Sequence, residues 1–325
     1  MKKLPKNKIS VGIIGLGNIG MSFDNVNDPI SFKTHVKAFY FSKKFEIDFV
    51  LDSDSKKIKI AKKNYPEIKN FVTNLEEINV YPELIVLCSS ESSNLQYFEL
   101  LKNNINYFFV EKPFRLNNSN YYISYNDKVV INYYRKFSPF YNDLRDQIES
   151  NDFGNIRSIN IKYSKGIFNT LTHFIDLLLF LFDNSLVFND FTRIDKNLLI
   201  DNDEIAFSFL VKNITKFNAF AVFQSINFND LYFLEIDLIF ERKRFLIQNY
   251  ESEIIEYEIK EDENFPDYKN FIKKRQYKIS NIDYMKNVVE KIPDIIYKGI
   301  PNIFSLKQDK KVLQIISLIN NFKEN

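Results

Sequence analysis

The chain has 325 residues, 45% of them apolar and 26% charged, a balance that suits a folded protein of two domains and excludes a disordered or fibrous one. Its 44 basic and 42 acidic residues nearly cancel to +2 and interleave along the whole length, so no basic face for nucleic acid stands out. The single cysteine, Cys88, excludes an internal disulfide framework and a cysteine-based metal cluster; the two histidines, His35 and His173, are too far apart in sequence to suggest a metal pair, and no metal is expected.

The opening MKKLPKNKIS has basic residues but no apolar region before a cleavage site, and a cytoplasmic protein is expected. Residues 8–14 read as a buried strand that breaks into Gly15-Leu16-Gly17-Asn18-Ile19-Gly20 and a helix start. FEIDFVLDSD, 45–54, is a second strand ending in acid, and SKKIKIAKKNY, 55–65, has helical spacing. PELIVLCSS, 82–90, is a buried strand, and SSNLQYFELLKNN, 92–104, a helix with serine at its cap. INYFFVEKP, 105–113, is a strand stopped by proline, and KVVINYY, 128–134, is one more. Strands alternating with helices, each strand apolar nearly throughout, predict a parallel sheet covered on both faces over residues 1–132.

The pattern then changes. A helix over 138–150 leads through Asp152-Phe153-Gly154 to the strand IRSINIKYS, 156–164. The apolar helix FNTLTHFIDLLLFLF follows; its longest apolar run, 174–182, contains Asp176 and is too short to span a bilayer. EIAFSFLVKN, FNAFAVFQSI, LYFLEIDLIFE and two shorter strands to about 260 succeed one another without helices. Helices near 281–298 and 305–321 close the chain. The fold class is therefore α/β followed by α+β: a doubly wound parallel-sheet (Rossmann) domain, then a domain over 133–325 with a largely antiparallel open-faced sheet. The last helices are free to pack back on the first domain.

Gly15-x-Gly17-x-x-Gly20 follows a strand and precedes a helix, the context in which such glycines serve a dinucleotide. The first allows the tight turn, the second lets a pyrophosphate approach the backbone, and the third permits close helix–strand packing. Asp52, at the end of the second strand, suits the adenosine ribose hydroxyls, and its charge favours NAD over NADP, with Lys56 and Lys57 near enough to blunt the preference. The spacing from Gly20 to Asp52 exceeds the usual value, so FDNVNDPISF reads as an insertion. The pattern also suits a glycine turn in another doubly wound fold.

Glu111-Lys112-Pro113 lies at the carboxyl end of a strand, where proline restricts Lys112 to extended geometry. Lysine before proline is also commonplace without function. Asn169, His173 and Asp176 share one face of the apolar helix at i, i+4 and i+7, either hydrogen-bonded inside the protein or facing a cavity. His35 reads as structural or at a cleft rim, and Cys88 as buried and chemically idle.

In order, GIIGLGNIG, the acid in VLDSD, EKPF, INYYRKFSP, FGNIRSI, THFIDLLLFLF and SLKQDKKVLQIISLI resemble the landmarks of the glucose–fructose oxidoreductase and inositol dehydrogenase (Gfo/Idh/MocA) family over nearly the whole chain. The resemblance implies an NAD-dependent sugar oxidoreductase in which Lys112 and His173 are the catalytic pair and Asn169 holds a neighbouring hydroxyl. It implies cofactor contacts from Gly15, Gly17, Asn18, Ile19, Gly20, Asp52, Ser89, Ser90, Glu111 and Lys112. Substrate contacts are expected from Lys112, Tyr134, Arg135, Asn169 and His173, and the Lys112–Pro113 bond is a candidate cis peptide. Two departures stand out. Asn169 occupies the place of a common aspartate, and Ser89-Ser90 with Asn94 replaces a common Thr-Pro and a following His. The insertion and the 166–173 segment look most like members that modify nucleotide-linked sugars for surface polysaccharides. Arg135, Lys136, Lys162 and Lys165 are then candidates to meet a diphosphate. A homo-oligomer, dimer or tetramer, is expected through the second domain's sheet. The alternatives are a non-catalytic NAD-binding regulatory or assembly protein with a decayed site, and an enzyme that recycles a tightly held cofactor.

Overall fold

The computed structural model describes residues 8–182, 186, 188, 191–193, 198–200, 204–206, 209–211, 219–226, 231–279 and 283–321. The chain divides into two compact units, Met1–Ser138 with Ile282–Lys311, and Pro139–Asn281 with Val312–Asn325. The first unit thus runs past 132 and takes in a segment from near the end of the chain. Among the described residues no helix is long and apolar enough to cross a membrane.

In the first unit, β1 (Ile9–Ile14), β2 (Phe45–Leu51), β3 (Asn70–Val72), β4 (Leu84–Leu87), β5 (Tyr107–Val110) and β6 (Val129–Ile131) form one sheet in the order β3-β2-β1-β4-β5-β6. Every ladder in it is parallel. Strand order reverses between β1 and β4, so the carboxyl ends of these two strands flank the crevice where doubly wound sheets bind ligands. The connections carry α1 (His35–Phe41), α2 (Ser55–Asn64), α3 (Glu91–Leu101) and α4 (Tyr121–Ser124). Asp54 caps α2 by accepting the Lys56 N–H, and Ser90 caps α3 by accepting that of Ser93.

The second unit is built on β7 (Ile156–Tyr163), β8 (Phe191–Arg193), β9 (Leu198–Ile200), β10 (Glu204–Ala206), β11 (Phe209–Val211), β12 (Phe220–Ser225), β13 (Leu234–Phe240), β14 (Lys243–Gln248), β15 (Glu253–Glu261) and β16 (Lys269–Lys278), with α5 (Pro139–Glu149) and α6 (Thr172–Leu181). Eight strands make a sheet in the order β16-β15-β14-β13-β7-β12-β11-β8, antiparallel except where β12 runs parallel to β7. β9 and β10 pair separately. The single strand expected over 204–213 is therefore two short strands in different sheets; residues 207, 208, 212 and 213 of it lie outside the described residues, as do 217 and 218 of FNAFAVFQSI.

Strand alternation gives this sheet one buried face: Leu234, Ile236, Leu238 and Phe240 of β13 are buried, while Glu235, Asp237 and Ile239 between them are half-exposed. The outward face is mixed. Val222, Ile239, Leu246 and Ile255 are interleaved with Lys162 paired to Glu235 and Arg244 paired to Asp237 at 2.9 Å. β16, at the sheet edge, is exposed along most of its length and carries Lys269, Lys273, Lys274, Arg275 and Lys278.

α7 (Tyr284–Lys298) returns to the first unit, where Met285, Val288, Val289, Ile292 and Ile296 join a core containing Val11, Val36, Phe39 and Phe45. The division between units falls within α8 (Leu306–Asn321), and in its first turns the buried Asp309 accepts a 2.8 Å bond from the Tyr133 hydroxyl.

Candidate functional site

β1 ends where Gly15 turns with φ +104°, and a side-chain carbon there would lie 2.6 Å from the Ser89 backbone nitrogen. Gly20 packs on the same turn: a methyl would come within 2.1 Å of the Gly15 carbonyl oxygen. Gly17 differs from both, since a side chain at that position would meet no protein atom within 4 Å. The fold itself requires glycine at 15 and 20, while the open space beside Gly17 is what a ligand drawn close to the backbone would use.

The helix expected directly after the loop is instead a short π-turn, Asn18–Ser22, in which the Gly17 carbonyl accepts from Met21 (2.9 Å) and Ser22 (3.1 Å). α1 begins only at His35. The intervening insertion is gathered around Asp24, whose carboxylate accepts from Ser31 Oγ (2.9 Å), Thr34 Oγ1 (2.8 Å) and the N–H groups of Lys33 (2.8 Å) and Thr34 (2.7 Å). From α1, the buried Lys37 donates to the carbonyls of Asn25 (2.7 Å) and Asp28 (2.5 Å), closing the insertion from the other side.

A cavity of about 560 Å³ opens at the carboxyl ends of β1, β2 and β4, within the usual size of small-molecule sites. Gly15, Gly17, Asn18, Ile19, Asp52, Ser89 and Ser90 all line it, so the structure brings together most of the residues singled out for the cofactor. Phe23, Lys57 and Tyr97 line it too. Lys57 carried a sequence signal only as a neighbour of Asp52; Phe23, inside the insertion, carried none. Asp52 Oδ2 accepts the Leu16 N–H at 2.7 Å and lies 3.2 Å from Lys57 Nζ, while Oδ1 accepts the Asp54 N–H at 2.9 Å. A carboxylate offers about four acceptor positions, so capacity remains for ribose hydroxyls. The glycine cradle, the strand-end carboxylate and the capped N-terminus of α3 together fit a dinucleotide. Ser89 is itself tied to Asn94, its hydroxyl donating to Asn94 Oδ1 at 2.7 Å. Cys88 is buried beneath the loop with Sγ 3.2 Å from the Gly15 carbonyl. Burial, with the charges of Glu111 and Asp52 adding to it, pushes its thiol well above the ordinary range.

The Lys112–Pro113 peptide is cis. The Glu111 carboxylate just before it turns to His35 and Asn132: Oε1 lies 2.7 Å from His35 Nε2 and accepts from Asn132 Nδ2 at 2.6 Å. Glu111 and Lys112 are not among the residues lining the loop cavity. Burial opposes ionisation of Glu111, but the hydrogen bond and charge of His35, the Asn132 bond and the Lys112 charge outweigh it and hold the carboxyl below its usual value.

Past β6, Tyr134–Phe137 form a 3₁₀ turn. The Tyr134 ring lies 4.7 Å from that of Tyr284, the Arg135 guanidinium lies 4.7 Å from the Tyr134 ring centroid, and Arg135 is only 2% exposed. Lys136, also 2% exposed, donates to the Ile303 carbonyl. Arg135 and Lys136 are thus buried, and Lys162 is paired with Glu235.

In the second unit β7 leads through Gly166, at φ +85°, into a π-turn, Ile167–Leu171, that runs on into α6. Asn169 is exposed in the π-turn, His173 half-buried at the start of α6, and Asp176 buried one turn on. The Thr172 hydroxyl donates back to the Phe168 carbonyl at 2.8 Å across the junction. Among the described residues no group of three His, Cys, Asp or Glu side chains converges as metal ligands would.

No protein-family model matches the chain. A Formosa agariphila protein, Oxidoreductase P35, is 27% identical over 165 residues, and the match spans about half of each chain, 48%. Among solved structures, a dehydrogenase from Chromobacterium violaceum superposes with a TM-score of 0.72 at 13% identity, covering 97% of this chain and 94% of that one. An oxidoreductase from Agrobacterium radiobacter, in complex with NAD+, L-tartaric acid and magnesium, has a TM-score of 0.67 at 12% identity, covering 96% and 95%. The chain has the fold of these proteins. Its parallel sheet followed by a mostly antiparallel one is shared with them nearly end to end.

Proposed function

We propose that this protein is an NAD-dependent oxidoreductase of the Gfo/Idh/MocA type that oxidises or reduces a sugar carbon, with Lys112 and His173 as its catalytic pair. The observation that carries the reading is the loop cavity, where Gly17 leaves open space beside the backbone and Asp52 stands at the strand end. The fold shared with an NAD+-bound oxidoreductase and the partial match to a second oxidoreductase support it. The family resemblance supplies the roles beyond the cofactor.

Bound NAD would supply the hydride acceptor. In the oxidising direction His173 takes the hydroxyl proton on Nε2 as the carbon–hydrogen bond gives up its electron pair and the carbonyl forms. Lys112, as an ammonium, orients the same oxygen and offsets negative charge developing on it. Asn169 donates to or accepts from a neighbouring hydroxyl but, being neutral, adds no charge beside His173. The Asp52 carboxylate favours NAD over NADP by repelling a 2′-phosphate, an effect that Lys57 at 3.2 Å tempers. Titrations with both cofactors test this: tighter binding of NADP would reject it.

The sugar is read as nucleotide-linked. This rests on the resemblance of the 166–173 segment, since Arg135 and Lys136 are buried and Lys162 is paired. NAD reduction with UDP-, GDP-, CMP- and dTDP-sugars against their unlinked sugars is the deciding experiment. Turnover confined to the linked forms is expected, and comparable turnover on an unlinked sugar or inositol would sink the substrate assignment alone. The rival, an NAD-binding protein without turnover, draws on Asn169; binding of NAD with no reduction across the panel would favour it. We also propose a homo-oligomer joined through the outward face that carries Val222, Ile239, Leu246 and Ile255. A monomeric mass by light scattering at micromolar concentration would remove that idea.

A further inference from the structure

The insertion between the glycine loop and α1 is tied down from several sides, yet it leaves one aromatic ring at the loop cavity. The Asp24 carboxylate and the Lys37 ammonium gather it from within. Further contacts fasten it to the rest of the first unit: Val26 packs on the core, the Phe32 carbonyl accepts the Met285 N–H at 3.2 Å, and the Lys33 carbonyl accepts from the Tyr284 hydroxyl at 3.0 Å. Both of those donors stand at the start of α7. On the other side of the ring, the Phe23 N–H is bound to the Asn18 carbonyl at 3.0 Å and Met21 is buried. The backbone around Phe23 is thus fixed, while Phe23 itself is 57% exposed and lines the cavity. Ile30, on the same insertion, is exposed to a similar degree, 64%, but does not line it.

The space this ring borders suits the adenosine half of a dinucleotide. Asp52 and Ser53 line it from the end of β2, Lys57 from α2 and Tyr97 from α3, whereas Glu111 and Lys112, just past β5, do not. Asp52 is the carboxylate placed for a ribose. We infer that Phe23 packs against the adenosine diphosphate half of bound NAD and closes it from solvent on the side of the insertion. The inference rests on the dinucleotide reading of the cavity. An apolar ring held in place before the ligand arrives loses little freedom on binding, and the water it sheds favours the complex.

Phe23→Ala is the direct variant, because a ring this exposed supports little of the fold and the ligand-free protein is expected to melt within about 1 °C of wild type. Isothermal titration should find NAD and ADP-ribose both weakened by about tenfold, the order of one aromatic contact. The two losses should match, since ADP-ribose lacks only the nicotinamide. Ile30→Ala is expected to bind both ligands as wild type does. The chain has no tryptophan, so Phe23→Trp installs a single reporter, whose emission saturating ADP-ribose should shield from acrylamide. A Phe23→Ala protein that binds ADP-ribose as tightly as wild type overturns the inference. So does a loss confined to NAD, or a reporter quenched equally with and without ADP-ribose. Wild-type protein that binds neither ligand would sink the dinucleotide reading and this inference with it, whereas wild-type binding without these losses sinks this inference alone.

Discussion

Asp52 has a second task besides its proposed contact with ribose, and replacing it separates the two. Its Oδ2 holds the Leu16 N–H at 2.7 Å and its Oδ1 the Asp54 N–H at 2.9 Å, so the carboxylate ties the glycine loop to the strand beside it. Hydrogen bonds to a charged group contribute about 1.5–3 kcal/mol each when protected from water. The cavity lets water reach these N–H groups once the carboxylate is gone, so the lower part of that range applies. The Lys57 pair, with the lysine side chain 37% exposed, adds no more than about 1 kcal/mol. Asp52→Ala is therefore expected to cost about 2–4 kcal/mol in urea unfolding and about 4–16 °C in Tm, at the roughly 2–4 °C per kcal/mol usual for domains of 150–250 residues. Asp52→Asn should recover part of this, because its single amide oxygen can accept only from one side. NAD affinity should fall and any preference over NADP narrow in both variants. If Asp52→Ala melts within about 1 °C of wild type, the carboxylate does not hold the loop and its role is confined to the ligand.

Replacing Lys112 or His173 with alanine is expected to lower turnover by about 10²–10⁴-fold with NAD affinity little changed; a His173→Ala enzyme of near-normal rate would mark the histidine as packing. Gly20→Ala should destabilise the first unit by about 1–3 kcal/mol and weaken NAD binding, because its methyl meets the Gly15 carbonyl; thermal melts with and without NAD check both. The Cys88 thiol, raised by burial, should resist thiol reagents at neutral pH until the protein is unfolded, and rapid native labelling would refute the packing beneath the loop. Glu111 is held below its ordinary value, so its contribution to stability is complete above about pH 4.3 and fades as pH falls through the depressed value. Glu111→Gln should accordingly flatten the acid limb of a stability–pH curve, and an unaltered limb would contradict the shift.

The doubly wound half was legible because each of its signals is local: an apolar run, a glycine turn, a serine at a helix start. What escaped was decided by partners distant in sequence. Lys136 read as a candidate diphosphate contact, yet it meets the Ile303 carbonyl across 167 positions. His35 became a partner of Glu111, 76 residues on, which no spacing rule reports. The π-turns at Asn18–Ser22 and Ile167–Leu171 read as α-helix because their apolar spacing barely differs over five residues. β16 was missed because KNFIKKRQYK has no buried face and so no alternation to read.

That same β16 leaves one edge of the sheet open to solvent. A sheet edge offers unpaired backbone donors and acceptors to any passing strand, and a second β16 is the strand most alike in length and shape. Two such edges brought together would align lysine and arginine with lysine and arginine, and the repulsion grows as the strands come into register. Such a basic run would end the sheet as a terminator, setting a charge barrier against a concentrated protein templating its own edge-to-edge aggregation.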